Sequence, residues 1–428
     1  MRVLIVGGGG REHALAWALS RSPLKPTLLA APGNPGIARL CECRPTKADD
    51  VPALVALAQR EKIDLVVVGP EAPLAAGLAD ALAERGIRVF GPRKSAAELE
   101  ASKAFAKQLM ARAGVPTARF DIATTMAEAE RAIVRISGGS GGVVVKADGL
   151  AAGKGVVVAE SPSEARSAAR RMLEENAFGE AGRRVVIEER LVGREASLIA
   201  ITDGERVLPL VGCEDHKAVL DGDRGPNTGG MGVVSPTPAL PPALVARALD
   251  EVVTPTVRQM AAEGRPLQGV IYAGLMIDGG KLSTLEFNCR FGDPETEAQL
   301  PRLSSDLLAV LDGAARGRLP EGELEWDART AVCVIGASRG YPTDPVLGDR
   351  IQGLEEAESQ PDVLVFHAGT RLQGGELYTA GGRVLAVTAL GADVAAARTR
   401  AYAAMGKIRC QGLHYRKDIG KRGQGETR

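Results

Sequence analysis

The chain begins with a short apolar run that leads directly into four consecutive glycines. Residues 2–6 are rich in β-branched side chains and predict a buried strand, and Gly7–Gly10 predict a tight turn. Residues 12–20 then have helical spacing, with Leu15 and Leu19 four positions apart. A strand, a glycine turn and a helix in this order are typical of a parallel α/β sheet.

The same alternation continues over about the first 100 residues. Apolar runs at Leu28–Ala31 and Leu65–Gly69 predict further buried strands, and residues 51–61 predict a helix between them. Alternating strands and helices predict a doubly wound parallel sheet. We therefore expect an N-terminal α/β domain over residues 1–103.

The remaining pattern predicts hairpins and helices with more antiparallel character. The further predicted helices are Ser95–Ala113, 127–137 and 392–406. The further predicted strands are Val143–Lys146, Val156–Val158, Val185–Glu188, Ala196–Ile201, Ile271–Ile277, Leu282–Phe287, Thr330–Gly336, Val363–His367 and Val384–Leu390. The predicted fold class is therefore α/β, with α+β character in parts.

These elements suggest a division into domains. We expect a central domain over residues 104–325, with a small lid subdomain at about 121–192. A C-terminal β-rich domain is expected over residues 326–420. Residues 421–428 are polar, and we expect them to be disordered.

Composition argues against several classes of partner. Basic and acidic residues number 53 each, so the chain lacks the net positive charge that favours nucleic acid or an anionic membrane. No apolar run is long enough for a membrane span, and the first run is too short for a signal peptide. The six cysteines form no C-x-x-C pair and no zinc-like cluster. We therefore expect a cytoplasmic protein with reduced thiols.

The first glycine turn resembles a dinucleotide-binding fingerprint but departs from it. Glu12 stands where the third glycine would fall, and the second strand ends at Ala30–Gly33 without the acid that holds the ribose of NAD. Both departures argue against NAD. Gly9 and Gly10, at a helix start, are instead candidates to receive an anion or a polar ligand edge, and the plainer interpretation is a tight turn alone.

A second glycine-rich loop, Lys146–Gly155, is not a Walker A motif. Only three residues separate Gly149 from Gly153, and Gly155 stands where Ser or Thr would bind magnesium. The loop also joins two strands, whereas a P-loop enters a helix. Free backbone N–H groups and two lysines, Lys146 and Lys154, suit a lid over a triphosphate.

The segment around residue 290 combines oxygen ligands with a positive charge. Strand alternation places Glu286 and Asn288 on one face, and carboxylate and amide oxygens are hard ligands suited to magnesium. Arg290 follows on that face and is a candidate to stabilise an oxyanion. An exposed strand face is the plainer interpretation, which the continuation Arg290–Glu295 disfavours.

Taken in order, these features resemble the ATP-grasp superfamily and, more specifically, the phosphoribosylamine–glycine ligase family. The segments that carry the resemblance, over essentially the whole chain, are Gly8–Ala14, Gly69–Leu74, Lys146–Gly155, Gly225–Gly232, Glu286–Glu295, Phe366–Thr370 and Arg416–Gly420. Ala101 departs from the family pattern, which usually has Gly before the Ser-Lys pair. Gly274–Met276 lacks the metal-binding acid of many relatives, so phosphates and water must complete the metal shell.

The resemblance implies ATP-grasp architecture and an ATP-dependent ligase of purine biosynthesis. In such a family, ATP, glycine and 5-phosphoribosylamine give ADP, phosphate and glycinamide ribonucleotide through a glycyl phosphate. The partners are then small molecules, with handover of the unstable amine by the preceding pathway enzyme as one option.

The resemblance also assigns roles to residues of this chain. The expected nucleotide contacts are Lys103, Lys146, Gly153, Lys154, Gly155, Glu188, Glu189, Leu191 and Glu195. The expected substrate contacts are Gly9, Gly10, Glu71 for the ribose, Asn227, Gly229, Arg290, Arg383 for the phosphate, and Lys417. The expected catalytic residues are Arg290, Asp293, Asp215 and Lys217, and the expected Mg²⁺ or Mn²⁺ ligands are Glu286 and Asn288.

Two alternatives stay open at this point. One is another ATP-grasp carboxylate–amine ligase or a carboxylase relative that uses bicarbonate, although the long segments 212–232 and 363–383 are not expected in a bicarbonate enzyme. The other is a non-enzymatic ADP-binding sensor of similar fold. The intact set of Glu286, Asn288 and Arg290 argues against a sensor.

Overall fold

The structure is a computed structural model, and it describes residues 1–138, 142–150, 155–175 and 177–421. Gly153 and Lys154, two of the expected nucleotide contacts, lie outside the described residues, as does the tail from residue 422. No helix within the described ranges is long and apolar enough to cross a membrane.

The first hundred residues form a five-stranded parallel sheet in the order β3-β2-β1-β4-β5. The elements are β1 (Arg2–Gly7), α1 (Gly10–Ser20), β2 (Thr27–Pro32), β3 (Glu42–Cys43), α2 (Val51–Arg60), β4 (Leu65–Val68), α3 (Glu71–Ala75), α4 (Leu78–Ala83) and β5 (Arg88–Phe90). Val3 and Ile5 enter the core on one side of the sheet, and Leu4 and Val6 enter a second core on the other. Burial on both faces explains the continuous apolar run, and the predicted α/β class is confirmed.

The single helix predicted over Ser95–Ala113 is wrong, because two helices meet at Ser102. They are α5 (Lys94–Ala101) and α6 (Lys103–Ala113). Ser102 has an extended backbone, and its hydroxyl accepts a hydrogen bond from the Phe105 N–H at 3.0 Å. The same hydroxyl donates to Asp148 at 2.9 Å. A carboxylate 46 residues away thus stabilises the cap, so the break has no local periodic signal.

The next part contains two antiparallel sheets. The smaller sheet, in the order β6-β9-β7-β8, and its helices comprise β6 (Phe120–Ala123), α7 (Met126–Ser137), β7 (Val143–Ala147), β8 (Val156–Ala159), α8 (Pro162–Leu173) and β9 (Val185–Glu189). The second sheet, in the order β11-β10-β16-β17, comprises β10 (Arg194–Asp203), β11 (Val207–Pro209), β16 (Gln268–Asp278) and β17 (Lys281–Asn288). The smaller sheet carries the glycine-rich loop, and β17 carries the expected metal ligands.

A third region combines segments that are distant in the sequence. The strands and the helix of this region that precede residue 300 are β12 (Glu214–Asp215), β13 (Ala218–Leu220), β14 (Arg224–Asn227), β15 (Gly232–Ser235) and α11 (Glu295–Gln299). The helices α9 (Pro242–Ala248) and α10 (Thr254–Ala262) pack instead on the sheet of β10, β16 and β17, and α12 (Leu307–Ala315) packs on β5, β10 and β16. A π-helical turn, Leu249–Val253, joins α9 to α10. The last elements are β18 (Thr330–Ala337), β19 (Arg350–Gln352), α13 (Leu354–Glu358), β20 (Val363–His367), β21 (Thr370–Gln373), β22 (Glu376–Thr379), β23 (Arg383–Gly391), α14 (Val394–Met405) and β24 (Arg409–Cys410).

The sheet order β12-β15-β18-β23-β20 joins the middle of the chain to its last hundred residues. Strands β15 and β18 pair antiparallel, with Val233 opposite Cys333. A second sheet, in the order β21-β22-β19-β24, completes this part. The domain limits expected from the sequence stay predictions, and the shared sheet brings segments from both sides of residue 326 together.

Candidate functional site

Strand β17 presents Glu286 and Asn288 on the side opposite the apolar core. Phe287, between them, is buried in that core, whereas its two neighbours are half-buried. Side chains two positions apart on a strand share a face. The partner residues on β16 are Gly274 for Glu286 and Tyr272 for Asn288. The side chain of Glu286 therefore lies over a glycine, where little else occupies the surface of the sheet.

Four cations surround the Glu286 carboxylate. Burial alone would raise the pKa of Glu286, but the nearby charges of Lys217, Lys146, Lys103 and Arg290 lower it overall. These cations come from four separate segments of the chain, so the fold concentrates positive charge at this point. A carboxylate held ionised among cations suits a ligand that carries several negative charges, such as a triphosphate.

The same donor set fits a hard divalent ion. The ionised carboxylate of Glu286 and the amide oxygen of Asn288 are the ligand types that Mg²⁺ prefers. Among the described residues, no cluster of three or more His, Cys, Asp or Glu is arranged to hold a metal. A metal at this place would therefore take two protein ligands and would depend on phosphate and water oxygens for the rest.

A buried ion-pair chain fixes Lys146 at the end of β7. Its ammonium lies 2.9 Å from Glu188 Oε1 and donates to the Leu285 carbonyl at 3.1 Å. The other Glu188 oxygen lies 2.9 Å from the ammonium of Lys107. Burial lowers the pKa of Lys107 to about 8, against the opposing effect of Glu188. Lys107 has no motif of its own, and a lysine inside a helix is ordinarily solvated, so the sequence did not reveal it.

Of the remaining nucleotide candidates, Lys103 and Gly155 lie at the base of the glycine-rich loop, whereas Glu189, opposite Val143, lies at the other end of β7. Lys103 opens α6 and donates to the Gly149 carbonyl at 3.3 Å, and burial lowers the pKa of its ammonium. On the opposite side of the loop, the carbonyl of buried Gly155 accepts a hydrogen bond from the Ala147 N–H at 2.8 Å. The backbone N–H of Glu189 is already engaged, because it donates to the Arg119 carbonyl at 2.9 Å. Leu191 follows on the connection to β10 and is half-buried.

A cleft lies next to Glu286. Its lining residues are Glu195, Ala196, Ser197, Asp215, Lys217, Gly274, Leu275 and Leu285. The Lys217 ammonium lies 3.2 Å from Glu195, which is the main reason that the pKa of Lys217 is raised. Burial, with the nearby charge of Glu295, raises the pKa of Asp215 well above its usual value. The structure thus brings three expected site residues into one cleft.

Arg290 is held between two carboxylates. Its Nε lies 3.2 Å from Glu100 and 3.4 Å from Glu71. Burial would raise the pKa of Glu71, but Arg290 holds it below its usual value. Glu100, whose pKa is raised by burial, also accepts from the Cys289 N–H at 2.8 Å. The guanidinium expected to meet the substrate is therefore already paired, and the sequence did not reveal Glu100 because an acid inside a helix is usually solvated.

A second arginine, Arg383, connects the last strands of the chain to the site. Arg383, from β23, lies 3.0 Å from the Asp293 carboxylate and donates to the Asp293 carbonyl at 2.8 Å and the Gly229 carbonyl at 2.5 Å. Three expected site residues thus meet although they are far apart in the sequence. Asn227 ends β14 and is exposed. The Lys417 side chain is also exposed, and its backbone N–H donates to Asp221 at 2.7 Å.

The glycine turn after β1 is hydrogen-bonded to a side chain of α1, the helix that follows it. The Gly9 N–H donates to Glu12 Oε2 at 2.6 Å, and the other oxygen of Glu12 accepts from Arg11 at 2.6 Å. Arg11 in turn donates to the Phe291 carbonyl at 3.0 Å. A side chain at Gly10 would lie 2.4 Å from Glu297 Oε1, so this position needs glycine to approach α11. The turn therefore joins the first sheet to the segment that follows β17.

Comparison with known proteins agrees with this arrangement. Three models of the phosphoribosylglycinamide synthetase family match the chain: the N domain over residues 1–100, the ATP-grasp (A) domain over 101–296 and the C domain over 331–422. A phosphoribosylamine–glycine ligase of Ralstonia nicotianae is 50% identical over 423 residues, which cover 99% of each chain. One of Brucella melitensis is 51% identical over 424 residues, covering 99% of this chain and 98% of that protein.

Solved structures show the same fold. The phosphoribosylamine–glycine ligase of Thermotoga maritima has a TM-score of 0.84 at 34% identity, covering 98% of this chain and all of that one. The biotin carboxylase domain of the Hydrogenobacter thermophilus 2-oxoglutarate carboxylase has a TM-score of 0.75 at 18% identity, over 97% and 91% of the two chains, and shows the fold alone. The ATP-grasp architecture expected from the sequence is therefore confirmed. The chain belongs to the phosphoribosylglycinamide synthetase family, and it is an ATP-dependent ligase.

Proposed function

We propose that the chain joins glycine to 5-phosphoribosylamine with cleavage of ATP, giving glycinamide ribonucleotide, ADP and phosphate in purine biosynthesis. The observation that carries this proposal is the concentration of Lys103, Lys146, Lys217 and Arg290 around the ionised Glu286, next to a cleft. Such a site accommodates a triphosphate and a carboxylate side by side, although both are negatively charged. The names of relatives about 50% identical over the whole chain support the choice of substrates.

The reaction consists of two displacements. A glycine carboxylate oxygen attacks the γ-phosphorus of ATP, the bond to the β,γ-bridging oxygen breaks, and ADP leaves. The amine nitrogen then attacks the carbonyl carbon of glycyl phosphate, loses a proton, and expels phosphate. Activation is required because an oxide ion would otherwise have to leave the carboxylate, whereas inorganic phosphate leaves from the mixed anhydride when its carbon–oxygen bond breaks.

The residues of the first step act by neutralising charge. Lys103 and Lys146 are our candidates to bind the phosphates, and the ion pairs of Glu188 with Lys146 and Lys107 support a fixed direction for the Lys146 side chain. Glu195, at the cleft, is our candidate for the nucleotide ribose. A divalent ion on Glu286 and Asn288 would, when bound, add positive charge beside the transferring phosphoryl group.

Arg290 and Lys217 are our candidates to hold the glycine carboxylate and the developing oxyanion. Glu71 and Glu100 fix the Arg290 guanidinium in one orientation, which reduces the reorganisation needed when charge develops. Lys217 and Asp215 line the adjacent cleft, where the glycine ammonium can meet a carboxyl group. The base of the glycine-rich loop lies next to Lys103, so closing of the loop would exclude water from the acyl phosphate.

The amine substrate is proposed to lie towards the last strands. Arg383 is our candidate for its phosphate, Glu71 for its ribose hydroxyls, and Asp293 for holding Arg383 in place. The amine is chemically unstable, so direct handover from the enzyme that produces it remains part of the proposal. Binding of the phosphate by a half-buried guanidinium would give both strength and orientation.

Isotope transfer tests the central step. With glycine labelled with ¹⁸O in its carboxylate, each released phosphate should carry one ¹⁸O, because the amine displaces phosphate at carbon and the bridging oxygen stays on phosphorus. Reaction of unlabelled glycine in ¹⁸O water is the control and should give unlabelled phosphate. Unlabelled phosphate from labelled glycine during product formation would show that the carboxylate is never phosphorylated.

A bicarbonate-using activity is the second candidate, because biotin carboxylase domains share the fold at 18% identity. The two candidates differ in the compound that triggers ADP release. We expect release with glycine and 5-phosphoribosylamine and not with bicarbonate and biotin. The reverse result would favour the carboxylase. If neither pair of compounds triggers ADP release, the chain has neither of the two activities.

A further inference from the structure

Glu297 occupies a buried junction between three parts of the molecule. It lies in α11 and is 1% exposed. One carboxyl oxygen faces Gly10 at the start of α1, and its backbone carbonyl accepts from the Thr388 hydroxyl of β23 at 2.9 Å. Helix α11 also contacts β15 and β18. An ionised carboxylate buried at this position would destabilise the folded state unless hydrogen-bond donors or cations compensate its charge.

The expected donors are not there. Within the described ranges, no other residue donates a hydrogen bond to either Glu297 carboxyl oxygen, although both are buried. The residue's own backbone N–H lowers the pKa of Glu297 by less than burial and Asp293 raise it. The group in hydrogen-bonding contact with it is another carboxyl, that of Asp293. Two carboxylates accept hydrogen bonds only, so this contact is favourable only if one of them carries a proton.

The surrounding charges decide which carboxyl carries the proton. Asp293 has a direct counterion, because Arg383 lies 3.0 Å from its carboxylate. Although burial opposes ionisation, Arg383 and then Arg11 hold the pKa of Asp293 below its usual value. Burial and the adjacent Asp293 raise the pKa of Glu297 well above its usual value. Arg290 also acts on Asp293, and the Cys333 thiol faces both carboxyl groups. Asp215 and Tyr341 act on the Arg383 guanidinium instead.

We propose that Glu297 is a positioning residue that stays protonated and donates a hydrogen bond to Asp293, so that the pair presents a single negative charge to Arg383. The inference rests on the proposed function, in which Arg383 binds the phosphate of the amine substrate. An ionised Glu297 would place a second carboxylate next to that guanidinium and would repel a phosphate. The protonated form lets Arg383 stay oriented by Asp293 while part of its charge remains available to substrate.

The neutral donor also weakens the attraction between Asp293 and Arg383. A carboxylate that accepts a hydrogen bond from a neutral group shares its charge between two partners. Without this donor, Asp293 would bind Arg383 more tightly and compete more strongly with the substrate phosphate. Glu297 would thus affect the affinity for the amine substrate without touching it.

Two substitutions separate this role from the alternatives. Glu297→Gln keeps the size and supplies an N–H donor, so we expect all three KM values and kcat to stay within about twofold of those of the unchanged protein. Glu297→Leu keeps the volume but removes the donor, so the KM for 5-phosphoribosylamine should rise about tenfold. The KM for ATP and for glycine should not change in either variant. A large loss of kcat in Glu297→Gln, or unchanged kinetics in Glu297→Leu, would overturn the proposal.

Infrared spectroscopy tests the proton itself without substrate. In the difference spectrum between the unchanged protein and Glu297→Gln at pH 8, a protonated-carboxyl stretch should appear, because any contribution from Asp215, whose pKa is also raised, is common to both proteins and cancels. Glu323→Gln, which removes an exposed carboxylate, is the matched control and should leave this band intact. Absence of the band would show that Glu297 is ionised and would overturn the proposal, even if Glu297→Leu fails to fold. If the band is present but glycine and the amine give no ligation, the proposed function fails instead.

Discussion

We expect the contact between α1 and β20 to weaken when the pH falls. His13 Nδ1 accepts a hydrogen bond from the His367 backbone N–H at 2.8 Å, and the two rings lie 5.6 Å apart. Both side chains are buried, at 7% and 3% exposure. Burial, with a smaller effect of the His367 ring, lowers the pKa of His13 to about 3, and burial lowers the pKa of His367 to about 4.

The magnitude follows from the difference between folded and unfolded states. Both rings are neutral in the folded protein, whereas in an unfolded chain each takes up a proton near pH 6.5. The stability that they contribute is therefore complete above pH 6.5 and is lost as the pH falls from 6.5 towards 4 and 3. At about pH 5, each ring lowers the free energy of unfolding by about 2 kcal/mol, and both together lower it by about 4 kcal/mol.

Trp17 makes this contact observable. Its ring lies 6.3 Å from Phe366, the residue before His367, and Trp326 is the other tryptophan of the chain. In a Trp326→Phe background, urea unfolding followed by Trp17 fluorescence should show the loss of stability between pH 8 and pH 5. His13→Asn keeps a hydrogen-bond acceptor but removes one titrating ring, so the pH-dependent loss should become smaller by about 2 kcal/mol.

Comparing the Trp326→Phe protein with and without His13→Asn across pH isolates the contribution of the His13 ring to the free energy of unfolding. Carboxylates also titrate in this range, and His13→Asn loses the edge-on contact with Phe366, whose centroid lies 5.5 Å from that of His13. The first effect is common to both proteins, and the second does not vary with pH, so both cancel in the difference. An identical loss of stability in both proteins would refute the conclusion that His13 is neutral at this contact.

Three further predictions concern the site. Lys146→Ala should raise the KM for ATP about tenfold or more, because a charge-assisted hydrogen bond is lost, and exposed Lys281→Ala should leave it unchanged in the same assay. Glu286→Gln should lower kcat about 100-fold or more with the circular dichroism spectrum unchanged, because the anionic ligand proposed for the metal is lost; measurable turnover near the normal rate would remove Glu286 from the metal site. Arg383→Ala should raise the KM for 5-phosphoribosylamine far more than the KM for ATP, and equal effects on both in steady-state kinetics would place Arg383 elsewhere.

Elements with a clear local pattern could be predicted from the sequence. Strand β1 was expected at residues 2–6 and is Arg2–Gly7, because a strand buried on both faces must be apolar throughout. The apolar runs Ile271–Ile277 and Leu282–Phe287 predict two strands, and they form the hairpin of β16 and β17, which turns at Gly279 and Gly280. In both cases the signal lies within about ten neighbouring residues.

Elements defined by distant contacts could not be predicted in this way. Strands β3 and β12 have two residues each, too few to show any periodicity. The break at Ser102 depends on Asp148, which returns from the glycine-rich loop. Local propensity favours one continuous helix, and hydrogen bonds to Asp148, from the Ser102 hydroxyl at 2.9 Å and the Ala104 N–H at 2.6 Å, stabilise the interruption.

The same distinction applies to the site. Glu286 and Asn288 could be identified because they alternate on one strand, and Arg290 continues the same spacing just beyond the end of that strand. Glu100 and Lys107 lie inside helices, where charged side chains are ordinarily solvated, and only tertiary packing makes them buried partners of Arg290 and Glu188. Residues that position others are thus harder to find from sequence than residues that carry the chemistry.

The proposed roles follow one another along a single stretch of chain, and this order has a physical consequence. Glu286 and Asn288 lie on β17 for the phosphates, Arg290 comes next for the carboxylate, and Asp293 holds Arg383 for the amine substrate. A strand and its continuation fix these distances through covalent geometry, so the three reacting groups stay aligned even when the parts of the molecule on either side move. A rearrangement of the parts on either side would then change access for the substrates without separating the phosphoryl donor from the carboxylate.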